Sequence, residues 1–205
     1  KRMVAEQIAR RGLRDPSLLA AMERVPRERF VQVEDLAWAF SDGPLPIGEG
    51  QTISQPYIVA LMTHLLQLQS RAHVLEIGTG SGYQAAVLAE IAHDVHTVEL
   101  IPSLLQLATR LLDTLGYRNI FTHLGDGSLG WSENAPYNAI IVTAGAPKVP
   151  DALVKQLKEG GRIAIPVGDR ESQRLVIGTK KGDALTTVIS DGFKFVPLIG
   201  KNGWN

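Results

Sequence analysis

Val74-Leu75-Glu76-Ile77-Gly78-Thr79-Gly80-Ser81-Gly82-Tyr83 carries the reading of the fold. An apolar, β-prone run from His73 to Ile77 breaks into three glycines at alternate positions, and an amphipathic segment follows to about Ala92. This is a strand, a tight turn and a helix: glycine admits positive φ at no steric cost and lets a ligand approach the backbone. In an open α/β sheet ligands bind beyond the carboxyl ends of the strands, so the turn predicts a nucleotide-type ligand. Glu99 closes the next predicted strand, Asp94 to Glu99, and stands 21 residues after Gly78. At that spacing an acidic side chain can accept hydrogen bonds from ribose hydroxyls, with Leu100 beside it in the same crevice.

A dinucleotide fingerprint would need its third glycine at position 83, which is Tyr83, while Gly82 comes one residue early. Glu76 is also a poor neighbour for a pyrophosphate, whereas a carboxylate suits a ligand with ammonium and sulfonium groups. S-adenosylmethionine is therefore the expected cofactor, held by Glu76, Gly78, Thr79, Gly80, Ser81 and Gly82, with Glu99 and Leu100. Gly125-Asp126-Gly127-Ser128 follows the third predicted strand and belongs to the same crevice. Asp126 is open to two readings there: an acceptor for an adenine amino group, or an Asp-Gly turn residue bonding its own backbone.

Outward from this loop, strands at Ile120 to Leu124, Asn138 to Val142 and Arg162 to Val167 alternate with helices ending near Leu115 and spanning Val149 to Leu157, the latter broken by Gly160-Gly161. Alternating βαβ texture predicts a doubly wound, Rossmann-like, mostly parallel sheet. Arg174 to Thr179, Leu185 to Ser190 and Phe193 to Ile199, joined by Lys-Gly-Asp and Asp-Gly turns, predict antiparallel strands at the end. Before the sheet, the first thirty residues read as helix, with Asp15 as N-cap and Pro16 at the first position. A long proline- and glycine-rich loop follows from Phe40 to Pro56, then a helix to Leu68. One methyltransferase-type domain is expected over 1–205: a helical extension and substrate loop (1–70), a cofactor-binding core (71–168), and C-terminal strands with a tail (169–205).

The formal charge is zero, which gives no support to a nucleic-acid partner. There is no cysteine, which removes disulfides, thiolate metal sites and a cysteine nucleophile. No apolar run reaches the roughly 18 residues a membrane span needs, so a cytoplasmic protein is expected; a monomer is expected as well, although the sequence does not itself give the oligomeric state. His93 and His96 lie three apart without a completing ligand set, and no metal is expected.

The fourth strand ends in Ile141-Val142-Thr143-Ala144-Gly145-Ala146-Pro147. This small, apolar loop has neither the Asn- or Asp-Pro-Pro-aromatic motif of amino methylation nor the carboxylates of a magnesium site. A carboxylate acceptor asks for less, being ionised at pH 7 and able to attack a sulfonium methyl without a general base. Small polar donors suffice to hold it, and Gln51-Thr52-Ile53-Ser54-Gln55-Pro56 offers them at a helix start. Ser54 also reads as a plain helix N-cap.

These motifs together resemble protein-L-isoaspartate O-methyltransferases across nearly the whole chain. Pro46-Ile47-Gly48 through Ser54-Gln55-Pro56-Tyr57 is similar to that family's substrate loop, and Val74 to Tyr83 to its cofactor loop. Gly125-Asp126-Gly127, Pro136 to Ile140, Leu157 to Arg162, Pro166-Val167-Gly168 and Phe195 to Leu198 match later motifs. The resemblance implies methyl transfer from S-adenosylmethionine to the carboxylate of isoaspartyl residues in damaged proteins and peptides, yielding S-adenosylhomocysteine. It implies Ser54 as the catalytic residue, Ile53, Ser54, Gln55, Val142 and Thr143 as substrate contacts, Glu99 on the ribose and Asp126 near the adenine. The tail Ile199 to Asn205 departs from the family pattern; packing on the sheet through Trp204 is the expectation, with covering the cleft or self-association as alternatives.

Overall fold

The computed structural model describes residues 1–205, apart from the side chains of Ser190 and Asp191. The N-terminal stretch is helical, as expected, and is divided into short turns around one α-helix. A π-turn (Val4–Ile8) and a 3-10 turn (Ala9–Arg11) stop at Gly12, whose φ of 96° leaves the helical region. Pro16 then holds Asp15 extended, and the helix restarts as α1 (Pro16–Arg24). Asp15 caps it, accepting from the amides of Ser17 (2.8 Å) and Leu18 (3.2 Å), and Leu18, Ala21 and Met22 form its buried face.

Part of the long loop is a small antiparallel hairpin, β1 (Leu45–Gly48) and β2 (Gln51–Ile53), with Leu45 opposite Ile53. Its turn uses positive φ at Gly48, Glu49 and Gly50. Proline is tolerated because each strand of a two-stranded ribbon keeps a free edge. Helix α2 (Pro56–Leu65) ends three residues earlier than expected, before Gln67 at φ 52°.

The main sheet begins with β3 (His73–Ile77), α3 (Tyr83–Ala89), β4 (Asp94–Glu99), α4 (Pro102–Thr114) and β5 (Ile120–Leu124). It continues through β6 (Tyr137–Val142), α5 (Asp151–Lys155), β7 (Leu157–Gly168), β8 (Gln173–Lys181) and β9 (Ala184–Phe193). The order is β5-β4-β3-β6-β7-β8-β9, parallel through β7 and antiparallel thereafter. This is the doubly wound sheet with antiparallel C-terminal strands that the sequence predicts. Three details differ. Gly160 and Gly161 lie inside β7, Gly160 at φ 72° and Gly161 where a Cβ would sit 2.8 Å from the Lys158 carbonyl oxygen, so positive φ at the first and close backbone approach at the second, rather than helix breaking, require them. Asp191-Gly192 is no turn, since β9 runs through it with a register shift opposite Arg174–Val176. Phe193 to Ile199 forms no regular strand; it touches the sheet through the Gly145–Pro197 bridge.

Alternation along the strands divides the core. Val74, Val95, Ala139 and Ile141 face α2 and α3, while Leu75, Ile77, Ile140, Val142 and Ile163 pack with Leu153 of α5 on the other side. Connections from β3 to β5 run over the first face and the β6–β7 connection over the second. The chain direction across the sheet therefore reverses between β3 and β6, the switch point beside which α/β sheets bind ligands.

Candidate active site

A cleft enclosing roughly 860 Å³ of space open to solvent lies at the carboxyl ends of β3, β4 and β6. Its floor is the glycine turn, with φ of 98° at Gly78, 52° at Gly80 and 85° at Gly82. A Cβ on Gly78 would fall 2.4 Å from Thr143 Oγ1, which donates to the carbonyl oxygens of Ile77 and Gly78 and ties the ends of β3 and β6 together. Gly78, Thr79, Gly80 and Ser81 line the cleft. Gly82 does not; it packs against Ala108 and Leu112 of α4 and lets α3 start.

Glu99 is nearly buried and lines the cleft beside Leu100. Its Oε2 accepts from the Gly80 amide (2.8 Å) and its Oε1 from those of Leu100 (2.9 Å) and Ile101 (3.0 Å). A carboxylate has about four lone-pair positions, so these bonds fix its orientation and leave one free. Glu76 lies under the turn, fully buried and outside the lining. Its Oε2 accepts from Thr97 Oγ1 (2.6 Å), which in turn meets Thr79 Oγ1 (2.7 Å), and its Oε1 has no partner. Burial pushes the Glu76 carboxyl up to about 8; the Thr97 bond opposes this and the Glu99 charge adds to it. Glu76 thus reaches the cleft through two threonine hydroxyls.

Gly127 lines the cleft, whereas Gly125 backs onto Trp131 and Asp126 is turned to other partners. Asp126 Oδ1 accepts from the amide and hydroxyl of Ser128, the Asx-turn reading, and Oδ2 from the Lys201 amide (2.8 Å). Partial burial resists ionisation of Asp126, but these bonds outweigh it and lower its pKa.

On the facing wall, Ile53, Ser54 and Thr143 line the cleft. The cap position of α2 belongs to Gln55 and no side chain caps the helix, so the Ser54 hydroxyl is not spent on a cap. Gln55 bonds Asp42 through Nε2 (2.7 Å to Oδ1) and Val142 is wholly inside the core; neither lines the cleft. The position of Ser54 is set by a residue that sequence reasoning missed. Arg27 is fully buried, donates from Nε to the Ala39 carbonyl oxygen and from Nη2 to that of Ser54 (both 2.8 Å), and stacks its guanidinium 4.8 Å from the Tyr83 ring centre. Burial lowers its pKa and pushes the Tyr83 hydroxyl up to about 12. Nothing in the Pro26-Arg27-Glu28-Arg29 context distinguishes this arginine from its solvated neighbours.

The tail closes the rim. Val196 to Ile199 line the cleft, held by bonds between the Gly145 amide and Val196 carbonyl (2.7 Å) and between the Leu198 amide and Gly145 carbonyl (2.8 Å). Trp204 Nε1 donates to Gly145 (3.1 Å), and the Asn202 amide donates to Ser128 Oγ (2.9 Å). Packing through Trp204 and covering the cleft are therefore one arrangement.

A family model described as Protein-L-isoaspartate(D-aspartate) O-methyltransferase matches residues 1–203. A protein-L-isoaspartate O-methyltransferase of Geobacter metallireducens is 57% identical over 205 residues, covering all of this chain and 95% of the relative. One of Trichlorobacter lovleyi is 56% identical, covering all of this chain and 94% of the relative. A solved protein-L-isoaspartate O-methyltransferase superposes with a TM-score of 0.90 at 31% identity, over all of this chain and 67% of that one. A Plasmodium falciparum protein titled as a putative member, solved with S-adenosyl-L-homocysteine, shares the fold at 23% identity, a TM-score of 0.81 and 96% coverage of both chains.

Proposed function

The chain belongs to the protein-L-isoaspartate(D-aspartate) O-methyltransferase family, and from that premise we propose that its cleft holds cofactor and acceptor on facing walls, with Glu99 and the glycine turn on one and Ser54 and Thr143 on the other. The protein transfers a methyl group from S-adenosylmethionine to the free carboxylate of isoaspartyl residues in damaged proteins, which initiates their repair. The cleft fits that cofactor: its lining carries Glu99 and no lysine or arginine. An acidic, cation-free cradle suits a ligand bearing ammonium and sulfonium groups. When bound, S-adenosylmethionine supplies an electrophilic methyl group.

The chain's own part is positioning. Glu99 has one free acceptor site for a ribose hydroxyl, and the glycine turn, whose Gly78, Thr79 and Gly80 amides are engaged by Val98 and Glu99, lets the rest of the ligand approach its backbone closely. The Ser54 hydroxyl donates to the acceptor carboxylate and aims it, while Arg27 fixes the Ser54 backbone. Leu198, Ile199 and Ile53 exclude water, and with an acceptor already ionised at pH 7, alignment in a dry site supplies several kcal/mol of barrier lowering. The observation that carries this assignment is that Ser54 lines the cleft with its hydroxyl free of any helix-capping bond. Asp126, engaged by Ser128 and Lys201, serves the adenine side as an organiser of the rim.

The proposal includes a monomeric, cytoplasmic enzyme acting on protein and not on nucleic acid. Formal neutrality supports the last point. Among the described residues, no helix is long and apolar enough to cross a membrane. The test is transfer of labelled methyl from S-adenosylmethionine to an isoaspartyl peptide and to its normal aspartyl counterpart, by the native protein and by Ser54→Ala. Labelling of the isoaspartyl peptide alone, slowed in the variant, is expected; equal rates for native and variant would remove Ser54 from the reaction.

A further inference from the structure

Far from the cleft, at the amino ends of the same strands, β3 and β4 pair His73 with Asp94, and His96 follows on the same face. Here the β5–β6 connection arrives through the 3-10 turn Ser132–Asn134, and rings close the corner. His96 stacks with Phe121 and His123, His123 with Trp131, and His73 with Tyr137. One ligating atom from each of His73, Asp94 and His96 lies within 4.8 Å of the others.

We propose that this corner binds a divalent transition-metal ion of the zinc class, held by His73 Nδ1, an Asp94 carboxylate oxygen and His96, with a further position open to water. His73 Nε2 faces the Asn134 carbonyl oxygen at 2.7 Å, and a carbonyl only accepts, so Nε2 carries hydrogen. In the neutral ring the lone pair is then on Nδ1, which faces Asp94 Oδ1. Two lone pairs aimed at one another require a cation between them, either a proton or a metal ion. An N–H donated to a backbone carbonyl is also the bond by which metal-ligating histidines fix their tautomer. His96 Nδ1 lies 2.9 Å from His123 Nε2; with the hydrogen on His96, its Nε2 keeps a lone pair for the ion. Two imidazoles and one carboxylate select zinc, nickel or copper over magnesium or calcium. The side chains of His73 and Asp94 are each 21% exposed, which leaves an entry path.

The test is calorimetric titration of the metal-stripped full chain with zinc chloride, beside magnesium chloride, together with melting curves. One saturable zinc site is expected, weakened by about 10-fold or more in each of His73→Asn, Asp94→Asn and His96→Asn. It should be unchanged in His93→Asn, an exposed histidine off this corner. Zinc should raise the melting temperature of the native protein and not that of Asp94→Asn. Methylation of an isoaspartyl peptide reports that each variant is folded, since none of these residues lines the cleft. Absence of saturable zinc binding would mean that a proton alone fills the gap, and overturn the proposal. So would equal binding of magnesium, or zinc affinity that survives all three ligand substitutions.

Discussion

The two walls of the cleft are built differently. The cofactor wall is nearly contiguous in sequence: three glycines in one turn, closed by Glu99 from the adjacent strand through the Gly80 amide. The acceptor wall is assembled from distant pieces, with Ser54 held by Arg27, Thr143 by β3 and the Val196–Ile199 rim by Gly145 and Trp204. The first wall is set by backbone conformation, and a local change there should be severe. The second is set by side-chain reach, and changes there should act on the acceptor while sparing the cofactor.

The largest effect is expected from Gly78→Ala. The substitution adds a Cβ at φ 98° and 2.4 Å from Thr143 Oγ1, which must displace the turn. Methyl transfer should fall by about 100-fold or more, measured with saturating peptide; retention of more than a tenth of the native rate would break the picture of a backbone-determined wall. Next is Glu99→Ala, which removes the ribose acceptor and frees three amides; calorimetry should give cofactor affinity weakened by about 30-fold, on the scale of a lost charged hydrogen bond and unpaired donors. Arg27→Lys should be smaller and fall on the other wall. It cannot bond the Ala39 and Ser54 carbonyls in one plane, so peptide KM should rise about 10-fold with cofactor Kd unchanged. A shift in cofactor Kd instead would merge the two walls into one.

Glu76→Gln should change turnover least and alter the pH dependence of stability. The native carboxyl keeps its proton up to about 8, whereas the unfolded chain releases it near 4.5. Between those values the native state binds more protons, so stability falls as pH rises through the window. Urea midpoints at pH 5, 7 and 8.5 should decline more steeply in the native protein than in the glutamine variant; parallel curves would show that Glu76 ionises freely in the fold.

The same contrast explains what the sequence discloses. Strands β3 and β4 begin and end where the apolar runs do, because central strands buried on both faces leave an unbroken signal. The glycine turn and Glu99 are legible because spacing along one βαβ unit fixes their separation in space. Arg27 is not, since a buried arginine has the same local sequence as a solvated one and only tertiary carbonyls mark it. The β1–β2 hairpin is hidden by its prolines, and the role of Ile199 by a tail whose partners, Asp126, Ser128 and Gly145, lie more than fifty residues away. The amino-end corner was equally invisible: adjacency in sequence sets His96 beside His93, while strand register sets it beside His73 and Asp94.

The central claim is that Ser54 serves the acceptor and Glu99 the cofactor. Its most direct test measures cofactor Kd and kcat on an isoaspartyl peptide for Ser54→Ala and Glu99→Ala in parallel. The account predicts that Ser54→Ala lowers kcat by about 10-fold or more with Kd intact, and that Glu99→Ala weakens Kd far more than it lowers kcat at saturation. Undiminished turnover in Ser54→Ala, or a cofactor affinity that falls equally in both variants, would contradict it.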